Sequence, residues 1–189
     1  MLNRCEWCLG DDLYIHYHDY EWGVPVREDQ KLFEFLILEG AQAGLSWITI
    51  LRKREHYRKA FDNFDAIKIA SYDQDKVEQL MGNSGIIRNR LKIESAINNA
   101  RAFLTIQQEF GSFSNYIWGF FEGKTIQGNY LSIKEVPAMS TRSIIISKQL
   151  KKRGFNFVGP TIIYSLMQAT GMVNDHLNGC HRYRELGGG

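Results

Sequence analysis

Residues Leu150–Gly171 read LKKRGFNFVGPTIIYSLMQATG, and this stretch decides the fold. A basic helix end runs into Gly154, the residue type that most readily accepts the left-handed backbone at a helix stop. Phe155–Gly159 then makes a tight turn, and Pro160 suits the first position of a second helix, where an N–H would have no partner anyway. Apolar residues recur at helical spacing until Gly171 closes that helix. The start of the second helix offers free backbone N–H groups and the positive end of its dipole, and Gly159 leaves room for a phosphate to approach. An ordinary pair of packed helices has the same signature, so the hairpin alone leaves both readings open.

Working outward, the helical period continues. Ser140 or Thr141 caps the helix that runs to Arg153. A helix opens near Asp29 and is predicted to run to about Arg54, with Gly40, Ala41, Ala43 and Gly44 suggesting close contact with another backbone. Short helices follow Asp65 and Asp73, the second stopping at Gly82. After Gly85, the stripe Ile93, Ile97, Ala100 and Leu104 marks a long helix that Gly111 ends. A short aromatic helix covers about Ser114–Phe121, and Lys124–Leu131 reads as a loop. The expectation is an all-α protein of seven or eight helices. Residues 1–189 form a single unit, with Gly187, Gly188 and Gly189 as a frayed tail.

Composition narrows the class. The 189 residues are 44% hydrophobic and 23% charged, ordinary for a globular chain. The apolar stretch Phe33–Leu51 is interrupted by Glu34, Glu39, Gln42 and Ser46, which excludes a membrane span. The N-terminus lacks a signal-peptide core, and three cysteines do not make a disulfide framework, so a cytoplasmic location is expected. The net charge of +2 does not by itself suggest a nucleic-acid binder. Basic residues nevertheless gather in three runs: Arg52–Arg54; Arg88, Arg90 and Lys92; and Lys148 with Lys151–Arg153. Solvated helix ends are the bland explanation of each.

Two constellations carry chemistry. Cys5 and Cys8 form a C-x2-C pair, His16 and His18 follow, and NDHLNGC places His176 and Cys180 four apart near the other end. These are zinc-type ligands, and half-sites at opposite ends suggest one site joining the termini. Spacing alone favours Cys5, Cys8, His176 and Cys180. The second constellation is aromatic: Trp7, Tyr14, Tyr17, Tyr20, Trp22 and Trp47 crowd the N-terminal third. Core packing accounts for any one of them. Glu39, however, lies among Leu36, Ile37, Leu38 and Leu45, with Gln42 and Ser46 continuing a polar stripe. A buried carboxylate needs a partner or a purpose.

The hairpin resembles the helix-hairpin-helix element of base-excision DNA glycosylases. The stretches RCEWC, LYIHYHDYEWGVP, LEGAQAGLSWITILRKRE, SGIIRNRLKI, LKKRGFNFVG and GMVNDHLNGC, in that order, resemble the bacterial 3-methyladenine DNA glycosylase I family, TAG. The resemblance implies a helix-hairpin-helix fold stapled by one structural zinc. It also implies hydrolytic release of 3-methyladenine from alkylated double-stranded DNA by a monomer, leaving an abasic site. Residue by residue, it makes Glu39 the base-recognition carboxylate and Tyr14, Tyr17 and Trp47 the pocket aromatics, with Trp7 and Trp22 beside them. It selects Cys5, His18, His176 and Cys180 as the zinc ligands and leaves Cys8 as an extra thiol. Four protein ligands fill a tetrahedral zinc, so the metal would be structural.

Gly154, Gly159 and Lys152 become the DNA-backbone contacts, positioning without reading sequence. Superfamily members that also cleave the strand carry a Lys after the last hairpin glycine; here Pro160 and Thr161 follow, which implies simple hydrolysis. Asp175, 16 residues beyond Gly159, falls near the superfamily's usual catalytic Asp but is expected to orient its neighbour His176 instead. Two other readings stand beside this one: a zinc-stabilised DNA-binding module without activity, and a zinc hydrolase with an open coordination position.

Overall fold

The computed structural model describes residues 2–187. Among these, the α-helices are α1 (Asp12–Tyr20), α2 (Asp29–Gln42), α3 (Trp47–Ala60), α4 (Ala66–Ala70), α5 (Gln74–Gly82), α6 (Arg90–Phe110), α7 (Phe113–Gly119), α8 (Thr141–Lys152), α9 (Pro160–Ala169) and α10 (His181–Gly187). Single 3-10 turns occupy Glu6–Cys8, Asp62–Phe64 and Ile133–Glu135. The all-α expectation holds, with more helices than expected. Gly187 belongs to α10 rather than to a tail, and Gly188 and Gly189 lie outside the described residues.

The predicted helix starts have their chemical causes in place. Asp65 accepts from the Ile67 and Lys68 N–H groups, Asp73 from Lys76, and Ser140 and Ser143 cap each other's backbone reciprocally. Gly111 and Gly154 end α6 and α8 at φ of +80° and +90°.

Two local expectations fail. The helix predicted from Asp29 to Arg54 is two helices, parted at Ala43–Ser46. Gly44 turns the chain there at φ +82°, and nothing would meet a side chain at that position within 4 Å, so this glycine makes a turn and not a close contact. Lys92 on α6 holds the break: its Nζ donates to the carbonyls of Ala41 (2.8 Å) and Ala43 (2.6 Å), which α2 leaves without helical donors. Gly40 does make the expected close approach, to Phe157 in the hairpin turn. The second failure is in Lys124–Leu131, where β1 (Ile126–Gln127) pairs in parallel with β2 (Val173–Asn174).

Helix α2 runs through the middle. Every residue from Leu32 to Ala41 is buried, and α3, α6, α7 and α9 pack around it. A helix covered on all sides exposes any polar residue it carries to the protein interior. Among the described residues no helix is long and apolar enough to cross a membrane.

Candidate active site

Near its C-terminal end α2 delivers Glu39, 3% exposed, to a cavity of about 190 Å³. Because the chain breaks just afterwards, α3 begins at Trp47 beside the same cavity. Tyr14 and Tyr17 reach it from α1, and Trp7 and Trp22 come from the turns on either side of that helix. The five aromatics expected at a pocket therefore do line one cavity with Glu39. Tyr17 packs against Trp47 with ring centroids 5.6 Å apart, and Trp47 stacks on Phe35 behind it at 6.4 Å.

The cavity holds two polar atoms without partners: the Glu39 Oε2 oxygen and the Trp47 Nε1–H are both buried and make no hydrogen bond. An unpartnered buried polar atom is a standing cost of about 1–3 kcal/mol. Burial pushes the Glu39 carboxyl up to about 8. Burial likewise raises the Tyr17 hydroxyl, and the Glu39 charge adds to that.

Sequence reasoning missed the opposite contributors. Helix α9 sends Ser165 and Gln168 to the cavity, and the 3-10 segment sends Ile133 and Val136. Ser165 and Gln168 stand three apart on an otherwise apolar helix, the same polar-stripe signal that exposed Glu39. Asp175 also lines the cavity, which corrects its expected role. Its Oδ2 accepts from Tyr164 Oη (2.6 Å) and Gln168 Nε2 (2.9 Å), and His176 is oriented by another group. Burial raises the Asp175 carboxyl against the lowering effect of those two donors.

The four ligands Cys5, His18, His176 and Cys180 converge, all buried, with their donor atoms within 4.8 Å of one another. Cys180 Sγ lies 3.5 Å from His18 Nε2 and 3.6 Å from His176 Nδ1, and Cys5 Sγ lies 3.8 Å from His176 Nδ1. Bonds of about 2.0–2.3 Å to a tetrahedral metal call for donor separations of this size. Each imidazole is held for the task. His18 Nδ1 donates to Asp19 at 2.8 Å, which leaves Nε2 unprotonated and accepting from the Cys5 backbone N–H at 3.4 Å, and Arg4 grips Asp19 from behind. His176 Nε2 donates to the Trp22 carbonyl at 3.0 Å, leaving Nδ1 free. The neighbouring Cys5 thiol holds the Cys180 thiol far below the ordinary thiol range. Cys8, the ligand favoured on spacing, stays out: its Sγ donates to the Cys5 carbonyl at 3.1 Å, and burial raises it to about 11. A metal ion fits this N2S2 set.

Lys152 ends α8, and Gly154 and Gly159 lie in the α8–α9 connection; none of the three is at the cavity, though α9 joins the two regions. Of the three basic runs, the first two are largely engaged. Arg52 pairs with Asp11, Arg54 with Glu21, Arg90 with Glu78, and Lys92 with the α2 carbonyls. In the third, Arg153 pairs with Glu109, whereas Lys148, Lys151 and Lys152 are exposed and enter none of the ion pairs among the described residues.

The pattern of the methyladenine glycosylase family matches residues 7–183. Over 182 residues the chain is 50% identical to DNA-3-methyladenine glycosylase 1 of Escherichia coli (strain K12), covering 96% of this chain and 97% of that protein. It is similar to a crystal structure of 3-methyladenine DNA glycosylase I, with a TM-score of 0.92 and 51% identity over 95% of this chain and 98% of that one. It is also similar to a single-residue variant of 3-methyladenine DNA glycosylase I in complex with 3-methyladenine, with a TM-score of 0.92 and 36% identity over 95% and 97% of the two chains.

Proposed function

Because the chain belongs to the methyladenine glycosylase family, we infer that it excises 3-methyladenine from alkylated DNA, hydrolysing the N-glycosidic bond to release the free base and leave an abasic site. The observation that carries the site assignment is the unpartnered Glu39 Oε2 in an aromatic cavity. The target base has to leave the stack to be reached, and the rings of Tyr14, Tyr17, Trp47, Trp7 and Trp22 replace the stacking it loses.

Glu39 is the base selector. Its carboxyl accepts from the N6 amino donor on the adenine edge. When the entering base is cationic, the positive charge draws the proton off Glu39, and the ring faces attract the cation as well. Alkylation already makes the base a good leaving group, so the protein's task is chiefly selection and positioning.

The hairpin is the backbone anchor. Gly159 faces open space at the start of α9, Gly154 makes the turn, and exposed Lys152 stands beside them. These features favour a phosphate of double-stranded DNA. Pro160 follows the last glycine, so no lysine is available there for covalent strand cleavage. Zinc, one per chain, is the ion assigned to Cys5, His18, His176 and Cys180. With four protein ligands it holds the two ends of the chain together and takes no part in the hydrolysis. The protein works as a cytoplasmic monomer, residues 1–189 acting as one unit.

Chromatography of bases released from methylated DNA tests the reading. Free 3-methyladenine is expected from the wild type, with 7-methylguanine as the comparison, and Glu39→Ala is expected to release far less while remaining folded. Wild-type release by Glu39→Ala would overturn the assignment.

A further inference from the structure

The metal cluster and the cavity share a wall. The Trp22 indole meets the His176 ring edge-on with centroids 4.6 Å apart, while the Trp22 carbonyl accepts the His176 Nε2–H. The Trp7 indole meets the His18 ring at 5.3 Å and the Trp22 indole at 5.0 Å, and it continues to Tyr14 at 4.8 Å. Trp7 sits two residues after the ligand Cys5, and Trp22 four after the ligand His18. Both indoles line the cavity. No flexible side chain intervenes between ligand and cavity on either route. Packed interiors of this kind transmit small displacements instead of absorbing them.

We propose that His18 and His176 are positioning residues for the base: through Trp22 and Trp7 the metal cluster sets the shape of the cavity, so metal occupancy and base binding are coupled. This rests on the reading that the cavity takes 3-methyladenine. The ion fixes both imidazoles by drawing four donors to one point, and each imidazole fixes the indole packed on it. A base wedged against those indoles then acts back on the ligands, because coupling between two sites is reciprocal.

Cobalt(II) in place of the native ion makes the coupling visible, since its visible absorption follows the geometry of its donors. Free 3-methyladenine is titrated into the cobalt-loaded protein, with heat and visible absorption followed in parallel. The cobalt bands are expected to shift and to saturate with the calorimetric isotherm. Metal-stripped protein that keeps its helical circular dichroism is expected to bind the base at least about fivefold more weakly. Heat of binding with unchanged cobalt bands would overturn the coupling and leave the cavity assignment standing. Absence of any binding heat would overturn the cavity assignment, and the coupling with it. A metal that merely stapled the chain would leave the bands unmoved.

Discussion

Glu34 and Glu39 stand on the same helix, buried at 8% and 3% exposure, in opposite circumstances. The Glu34 carboxylate receives the Arg58 guanidinium through Nε at 3.0 Å and Nη2 at 2.6 Å. Glu39 has an oxygen that receives nothing. One end of α2 is closed by a neighbouring helix, and the other opens on a cavity walled by rings. The burial of a carboxylate therefore does not reveal its purpose until its partners are counted. Glu34 belongs to the architecture, and Glu39 is completed from outside.

The comparison can be broken most sharply at Glu39. Replacing it with Ala is expected to cut the single-turnover release of 3-methyladenine by about 10²-fold, the order expected when a bound base loses its positioning. The same substitution scheme at Glu34 should leave release per folded molecule at the wild-type rate.

The second effect is on stability and its pH dependence. The folded Glu39 carboxyl titrates near 8, above its ordinary 4.5, so the folded state holds the proton longer than the unfolded chain does. Its contribution is present in full below pH about 4.5 and is lost as pH rises toward 8. Glu39→Gln should gain on the wild type across that window by up to roughly 5 kcal/mol, read from urea unfolding at successive pH values. A flat difference between the two proteins would show that the carboxyl is solvated.

Glu34→Ala comes third. It leaves the Arg58 guanidinium with Glu55 alone, its Nε and Nη2 groups unpartnered, and is expected to cost about 1–3 kcal/mol in the same unfolding assay. The smallest effect tests the hairpin rather than α2. Lys151→Ala with Lys152→Ala should weaken binding to undamaged duplex uniformly across sequences. It should also flatten the salt dependence by about one unit of slope for each lysine that meets a phosphate. An unchanged slope would move the backbone contact elsewhere.

Much of this was legible because local chemistry decided it. Gly154, Pro160, Asp65, Asp73 and Ser140 mark helix ends by properties of their own side chains or backbones, and the structure uses them so. Glu39 was conspicuous as a charge in an apolar helix. The parting of α2 from α3 was not legible, since the apolar pattern runs on across it and a lysine 51 residues from Ala41 braces the gap. Asp175 was misjudged from adjacency. His176 joins the metal cluster while its chain neighbour Asp175 faces the cavity. The resemblance, and not the spacing, excluded Cys8 in favour of His18, because C-x2-C is silent about a histidine that α1 brings round.

The convergence of Cys5 with His176, 171 residues apart, also has a consequence for synthesis. Chains emerge from the ribosome N-terminus first, at about 5–20 residues per second. Trp7 and Trp22 are thus made almost at the outset, yet the imidazole that backs Trp22 belongs to the closing stretch of the chain. For nearly the whole of translation the nascent protein carries exposed indoles and two metal donors without their counterparts. The base cavity is among the last parts of the molecule to come into being, and a chain truncated before His176 is born without it.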